Sequence, residues 1–297
     1  MNFQLLIIFV TNGLMVGILY GLIAMSFVLI YKASRVVNFA QGELLLLGAW
    51  ICWSLVTRYD VPFWAAFLLT GIFASVLGVL IQRVVLQPLI GEPLISLIMV
   101  TVGLSVFLQA VLKGIFGVSP RAFPKVVETT HLSVAGLNFE VAYLASAIFA
   151  ICALGLFAYF FQYTKFGLAM RATAFNQQVA QSMGVSVRQV FAISWAISAF
   201  VSAIAGIVIG LVNGVSAGLS NFGLKVFPAV ILGGLDSIIG AVIGGVIVGL
   251  LENLAEFFDG QYLHFGNLYM IVPFYVLIII LMIKPYGLMG TKDIERI

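Results

Sequence analysis

Charge is what this chain has least of. Only 8% of its 297 residues are Asp, Glu, Lys or Arg, where a soluble domain carries about 25%. The chain is instead 63% hydrophobic, with a mean hydropathy of +1.18. Water cannot solvate such a surface, so lipid is its solvent. Histidine is also scarce. His131 and His264 stand in separate polar stretches, and no Cys/His cluster has metal-ligand spacing, so no metal or cofactor is expected. His131, near acidic residues, reads as a solvated loop histidine rather than a hydrolase base. The two cysteines, Cys52 and Cys152, fall inside apolar runs and read as small buried hydrophobes, not as a disulfide. The dipeptide Gly-Lys occurs nowhere, which excludes a G-x-x-x-x-G-K-[ST] phosphate loop and the ATP site it would make. Enzymatic activity is not expected, nor is a nucleic-acid partner.

Long apolar runs are what the chain has in quantity. Uncharged runs of about 18 or more residues read as transmembrane helices, whereas a β-barrel would alternate in segments of about ten. The runs are Leu5–Tyr31, Asn38–Val56, Pro62–Ile81, Leu94–Leu112, Val141–Tyr163, Val190–Val212, Val226–Leu251 and Leu268–Ile283. The expected class is all-α: a polytopic integral membrane protein with about eight or nine transmembrane segments in one domain, residues 1–297. The first run lacks a basic leader and a small-residue cleavage site and reads as a retained helix. The run from Val226 is interrupted by Gly-Gly-Leu-Asp-Ser, Gly233 to Ser237. A glycine pair beside an ionisable residue is a poor centre for one spanning helix, so two helices meeting at a turn are expected. Glycines at spacing four (Gly13-Gly17-Gly21, Gly206-Gly210-Gly214, and Gly240-Gly244 with Gly245-Gly249) read as close helix packing.

Lys and Arg set the orientation. With the turn at Gly233–Ser237 counted as a hairpin, one side holds Lys32, Arg35, Arg83, Lys165, Arg171, Arg188, Lys284, Lys292 and Arg296. The other holds Arg58, Lys113, Arg121, Lys125 and Lys225. The richer side is the cytoplasm, which puts the N-terminus outside and Lys165 and Lys292 inside. Glu252 to His264 then reads as an acidic outer loop.

Ionisable groups within lipid are costly and mark functional positions. Glu43 and Asp236 are the candidates, with Asn38 and Gln41 beside the first. Asn38 to Glu43 reads as a helix start capped by Asn38, as a polar elbow on a translocation path, or as a contact with a partner subunit. In the elbow reading Gly42 bends the chain before the helix becomes regular, so that the three polar side chains converge on a wet vestibule. The stretch Thr164 to Gln189 is amphipathic and helix-favouring. It reads as a helix lying on the membrane surface or as a docking helix for a cytosolic partner.

Five blocks carry a resemblance. "NFAQGELLLLGAW", "RVVLQPLIGEPLISLIMVTVGLSVFLQ", "TKFGLAMRATAFNQQVAQSMGVSV", "GLKVFPAVILGGLDSIIGAVIGG" and "KPYGLMG" are similar, in order, to segments of the permease subunits of branched-chain amino-acid ABC transporters, the LivH-like family. The resemblance implies a single permease domain, multi-pass in the bacterial cytoplasmic (inner) membrane, that moves branched-chain or other hydrophobic amino acids by alternating access. It implies a second, LivM-like permease, two cytosolic ATP-binding subunits and an extracytoplasmic substrate-binding protein. Asn38, Gln41 and Glu43 are the candidates for the translocation pathway. Met170, Arg171, Ala172, Asn176, Gln177, Met183 and Gly184, with Gly233, Gly234, Asp236 and Ser237, are the candidates for coupling to the ATPases. Gln41, Gln87, Asn176 and Asp236 stand where the family usually has His, Arg, Asp and Gly. Similar permeases carry urea, short amides or aromatic acids, and a secondary transporter using Glu43 and Asp236 as ion sites is a reading from another class.

Overall fold

The computed structural model describes residues 3–89, 92–124, 131–134 and 137–291. Helices dominate it, and six are long and apolar enough to cross a membrane: Gln4–Ser34, Phe63–Leu89, Ile95–Phe116, Tyr143–Tyr163, Val187–Asn213 and Ile238–Leu263. Ala217–Gly233 and Leu268–Ile283 are shorter apolar helical segments. The chain is an all-α, multi-pass membrane protein. Trp64, Leu68, Ile72, Val76 and Leu80, one residue per helical turn, are each at least half exposed on one helix face. In water that stripe would be an aggregation surface; a bilayer or an apolar partner surface is the setting it suits.

The chain divides into two compact units: Leu29–Val126 with Cys152–Leu224, and Met1–Val28 with Val127–Ile151 and Lys225–Ile297. The first is organised on helix α8 (Val187–Asn213), most of whose length is buried. Helices α2 (Gln41–Arg58) and α3 (Phe63–Ile81) pack against it. Small residues allow this: a methyl at Gly206 would overlap the Leu45 carbonyl, and one at Gly48 the Ala203 backbone. On α3, a methyl at Gly78 would overlap the Trp195 carbonyl. Trp195, Ala199, Leu44, Ile81, Leu104 and Leu108 form the core between α8, α2, α3 and α4 (Leu94–Phe116). The stripe reading holds for Gly206 only in part of its length. Gly214 lies beyond α8 at φ +74°, where it ends the helix rather than packing it.

In the second unit α1 (Phe3–Ser34) contributes its first 26 residues, 3–28, and α11 (Ile238–Phe258) lies against it. A methyl at Gly17 would sit 2.7 Å from Val246 Cα, and one at Gly245 would overlap the Gly21 backbone. The neighbouring glycines face elsewhere: Gly244 meets the Ala229 carbonyl and Gly240 meets Gly233, on α10 (Phe227–Gly233). Thus α11 carries two glycine faces, one for each partner helix. The interruption at Gly233–Ser237 is the expected turn, with Gly234 at φ +108° and the Ser237 hydroxyl accepting from Gly240 N–H at 3.0 Å.

Four expectations need correction. Cys152, expected to be buried, is exposed, whereas Cys52 is buried. Glu252 to Leu263 is not an outer loop. It continues α11 and then a π-helical turn, Asp259–Leu263, because Glu252 is buried and accepts a hydrogen bond from Tyr20 at 2.7 Å. Thr164 to Gln189 is not one helix. It forms α6 (Lys165–Phe175) and α7 (Gln177–Ser182) before α8 begins at Val187. The polar stretch before α5 (Val141–Tyr163) contains an antiparallel hairpin, β1 (His131–Val134) with β2 (Leu137–Glu140). Lys125, Lys292 and Arg296, used above to orient the chain, lie outside the described residues.

Candidate functional site

Asn38 to Glu43 leads the chain into α2. Asn38 Oδ1 accepts from Ala40 N–H at 3.1 Å, a turn that delivers the chain into α2. The helix is regular from Gln41, through Gly42. The expected bend at Gly42 is absent. Glycine is needed there because a side chain would overlap the Ser220 carbonyl, and Gly223 in turn approaches Gly42. A regular helix turns Glu43 away from Gln41, so the three side chains do not meet at one vestibule. Asn38 Nδ2 donates to Gln41 Oε1 at 3.0 Å. Gln41 Nε2 donates to the hydroxyls of Ser198, at 3.3 Å, and Ser202 on α8. Thr101 on α4 donates to the Val37 carbonyl at 3.0 Å, pinning the segment from the other side. Asn38, Gln41 and Glu43 are all buried. They lie inside a packed helical core, not in open water and not against lipid. Glu43 faces Lys113, Ser105 and Ser220, and its Oε2 has no hydrogen-bond partner among the described residues.

The α6–α7 hairpin is locally encoded. Thr164 caps α6 by accepting from Gly167 N–H at 3.0 Å. Asn176 breaks the helix in extended backbone and caps α7, its Oδ1 accepting from Gln178 and Val179 N–H at 3.0 and 3.1 Å. Gly184, at φ +85°, ends α7. Met170 points inward and is buried, as are Thr173 and Ala180. Ala172, Asn176 and Met183 are exposed, and Gln177 is half-buried. Phe175 is 94% exposed and Met183 80%. They flank a groove lined by Leu168, Ala172, Val179 and Val185. Arg171 is engaged: it donates to the Phe161 carbonyl and, at 3.2 Å, to the Gln162 carbonyl, at the end of α5. Its charge suits that helix C-terminus.

In the other unit, the turn after α10 is covered by the chain's last described residues. Leu288 N–H donates to the Leu232 carbonyl at 2.8 Å and Met289 N–H to that of Gly233 at 3.1 Å. Asp236 accepts from Thr291, backbone N–H (3.1 Å) and hydroxyl. Gly233 and Gly234 are buried, and Ser237 is half-buried. Asp236 is therefore a turn fastener held by the C-terminal segment rather than an ion site within a helix. Sequence reading missed that Lys284 to Thr291 closes over Gly233–Ser237. The signal was present, since both belong to the five similar blocks. It also missed the Tyr20–Glu252 pair, which joins α1 to α11 across 232 residues. Gly214-Val215-Ser216-Ala217-Gly218 spells a nucleophile-elbow pattern, but it follows a helix where that chemistry needs a strand, so the serine has no catalytic setting.

The model of the family described as "Branched-chain amino acid transport system / permease component" matches residues 9–281. The chain belongs to that family. It is 30% identical to the high-affinity branched-chain amino acid transport system permease protein BraD of Pseudomonas aeruginosa, over 96% of each chain. It is 29% identical to the LivH permease of Salmonella typhimurium, again over 96% of each. A probable LivH of Methanocaldococcus jannaschii is 27% identical over 93% of this chain and 90% of its own. Members of this family are transport permease components and not enzymes. Among the described residues no group of His, Cys, Asp or Glu is placed to hold a metal ion.

Proposed function

We propose that this permease is the membrane subunit of an ABC importer for branched-chain or other hydrophobic amino acids, in the bacterial inner membrane. A LivM-like second permease completes the pathway, an extracytoplasmic binding protein delivers substrate, and two cytosolic ATP-binding subunits drive alternating access. Residues 1–297 act as one permease domain with its N-terminus outside. The observation that carries the coupling role is the α6–α7 hairpin. It is a short, doubly capped element that turns Phe175 and Met183 to the outside while anchoring Met170 and Ala180 within. Large apolar side chains held out on a rigid polar-capped hairpin suit burial in a partner protein. ATP binding closes the ATPase pair and moves such a hairpin, and α8, on which it rests, transmits the displacement towards the Gln41–Ser202 contact. Asn38, Gln41 and Glu43 line the region that rearranges when the path opens, and Gly233–Ser237 forms a second coupling contact. No chemistry takes place in this chain.

Site-specific crosslinking tests the coupling assignment. In a background with Cys52 and Cys152 replaced by Ala, F175C or M183C is expected to crosslink to a cysteine-bearing ATP-binding subunit in assembled membranes. Crosslinking from neither position, in a complex that still hydrolyses ATP, would remove the hairpin from the interface.

A further inference from the structure

In the unit formed by Leu29–Val126 and Cys152–Leu224, two guanidinium groups share one indole at the end of α2. Arg58 Cζ lies 5.7 Å from the centroid of the Trp53 ring and Arg121 Cζ 6.0 Å from it. Added together, those distances keep the two cations within about 12 Å of each other. Both arginines are exposed, and neither forms an ion pair among the described residues. Two like charges held on one ring repel each other, and an anion between them relieves that repulsion. The floor beneath them is fixed. Trp53 is buried, and its Nε1 donates to the Ala122 carbonyl at 3.0 Å. Arg121 N–H donates to the Val215 carbonyl, and the Arg121 carbonyl accepts from Val215 N–H, both at 2.8 Å. Trp50 meets Trp53 edge-on at 5.5 Å and stacks on Phe116, the last residue of α4, at 5.1 Å. Arg58 also lies 5.9 Å from the Phe116 ring. Exposed aromatic residues mark the level at which this cluster sits. Tyr59 is 72% exposed and Trp64 69%, and both stand at the connection between α2 and α3. Tyr and Trp placed so at the ends of spanning helices mark the membrane–water interface, where their rings lie among headgroups.

We propose that Arg58 and Arg121 hold the phosphate of an anionic phospholipid, of the phosphatidylglycerol class. Each guanidinium presents a planar fork of donors that matches two phosphate oxygens, so the pair clamps one phosphodiester monoanion. Basic pockets between spanning helices take anionic headgroups in this way. A phosphatidylcholine headgroup brings its own cation, which both arginines repel, so the site selects lipids of net negative charge. A carboxylate on a partner protein would offer the same guanidiniums a similar pair of oxygens. The exposed Tyr59 and Trp64 favour the bilayer instead, because they set the cluster at headgroup depth. The proposal is independent of the substrate and coupling roles given above.

Native mass spectrometry of the purified full-length permease tests it, with dioleoylphosphatidylglycerol and dioleoylphosphatidylcholine as probes. The wild-type chain should bind the first about tenfold more tightly than the second, the equivalent of about 1.4 kcal/mol. Arg58→Gln with Arg121→Gln removes both charges while keeping polar side chains, and should bring the two lipids to equal affinity. If that pair does not fold, Arg58→Gln alone serves in its place and should cut the preference severalfold. Equal retention of the two lipids by the wild-type chain would overturn the proposal, as would an unchanged preference in the glutamine variants. Displacement of the lipid by millimolar inorganic phosphate would show a soluble-anion site and overturn the lipid assignment. Loss of capture of the substrate-binding protein in the glutamine variants, with lipid retention unchanged, would give the arginines to that partner and overturn it as well. The assay needs neither ATP nor transport, so its failure leaves the transport reading standing.

Discussion

Replacing Gln41 by Leu removes the residue through which α2 and α8 share polar contacts. Asn38 Nδ2 loses its bond to Gln41 Oε1, and both serines lose a donor. Ser202 keeps its own bond to the Ser198 carbonyl at 2.7 Å, so it is not orphaned. Asn38, 1% exposed, is left with a donor that water cannot reach. An orphaned buried donor costs about 1–3 kcal/mol, and an interhelical hydrogen bond in a membrane protein contributes about 0.6 kcal/mol on average. Gln41→Leu should therefore lose about 2–4 kcal/mol, read as a lowered denaturation midpoint of the purified permease in detergent. Asn38→Leu with Gln41→Leu should lose less than the sum of the two single losses, because each single variant breaks the same Asn38–Gln41 bond. Gln41→His, which restores the usual family residue, should stay near wild type. A double variant whose loss equals the sum of the two single losses would show that Asn38 and Gln41 do not share a bond, and would refute the reasoning.

Other expectations follow from the packing and the caps. Gly245→Val, which drives a side chain into the Gly21 backbone, should abolish folded yield in a size-exclusion assay. Gly103→Ala, with open space around it within α4, should be neutral or stabilise by up to about 1 kcal/mol. Phe175→Ser with Met183→Ser should leave yield and melting unchanged but abolish ATP-driven uptake; retained uptake would count against the hairpin as coupling element. Arg171→Glu should lower folded yield as well as transport, since it places a carboxylate against the Phe161 and Gln162 carbonyls, whereas Arg171→Lys should preserve yield.

The class of fold was legible because composition and run length are strong signals: a chain so apolar has few choices but helices in lipid. The turn at Gly233–Ser237 was legible too, since Gly-Gly beside Asp is a local rule broken in a helix. What the sequence hid was long-range. Glu252 looked like part of an acidic loop because its hydrogen-bond donor, Tyr20, is 232 positions away. Gly42 looked like a hinge because the carbonyl it makes room for belongs to Ser220. Asn176 was visible only as one polar residue among glutamines, although an Asx cap is what divides α6 from α7. Local chemistry marks where a chain turns, but which side a buried polar residue faces is decided by helices far along the sequence.

The most direct test of the central claim is uptake in proteoliposomes. Permease reconstituted with its partner permease, ATP-binding subunits and substrate-binding protein should accumulate labelled leucine only when ATP is hydrolysed, and a hydrolysis-dead ATPase should abolish uptake. Permease alone that accumulates leucine down a proton or sodium gradient, with no ATPase present, would contradict the account.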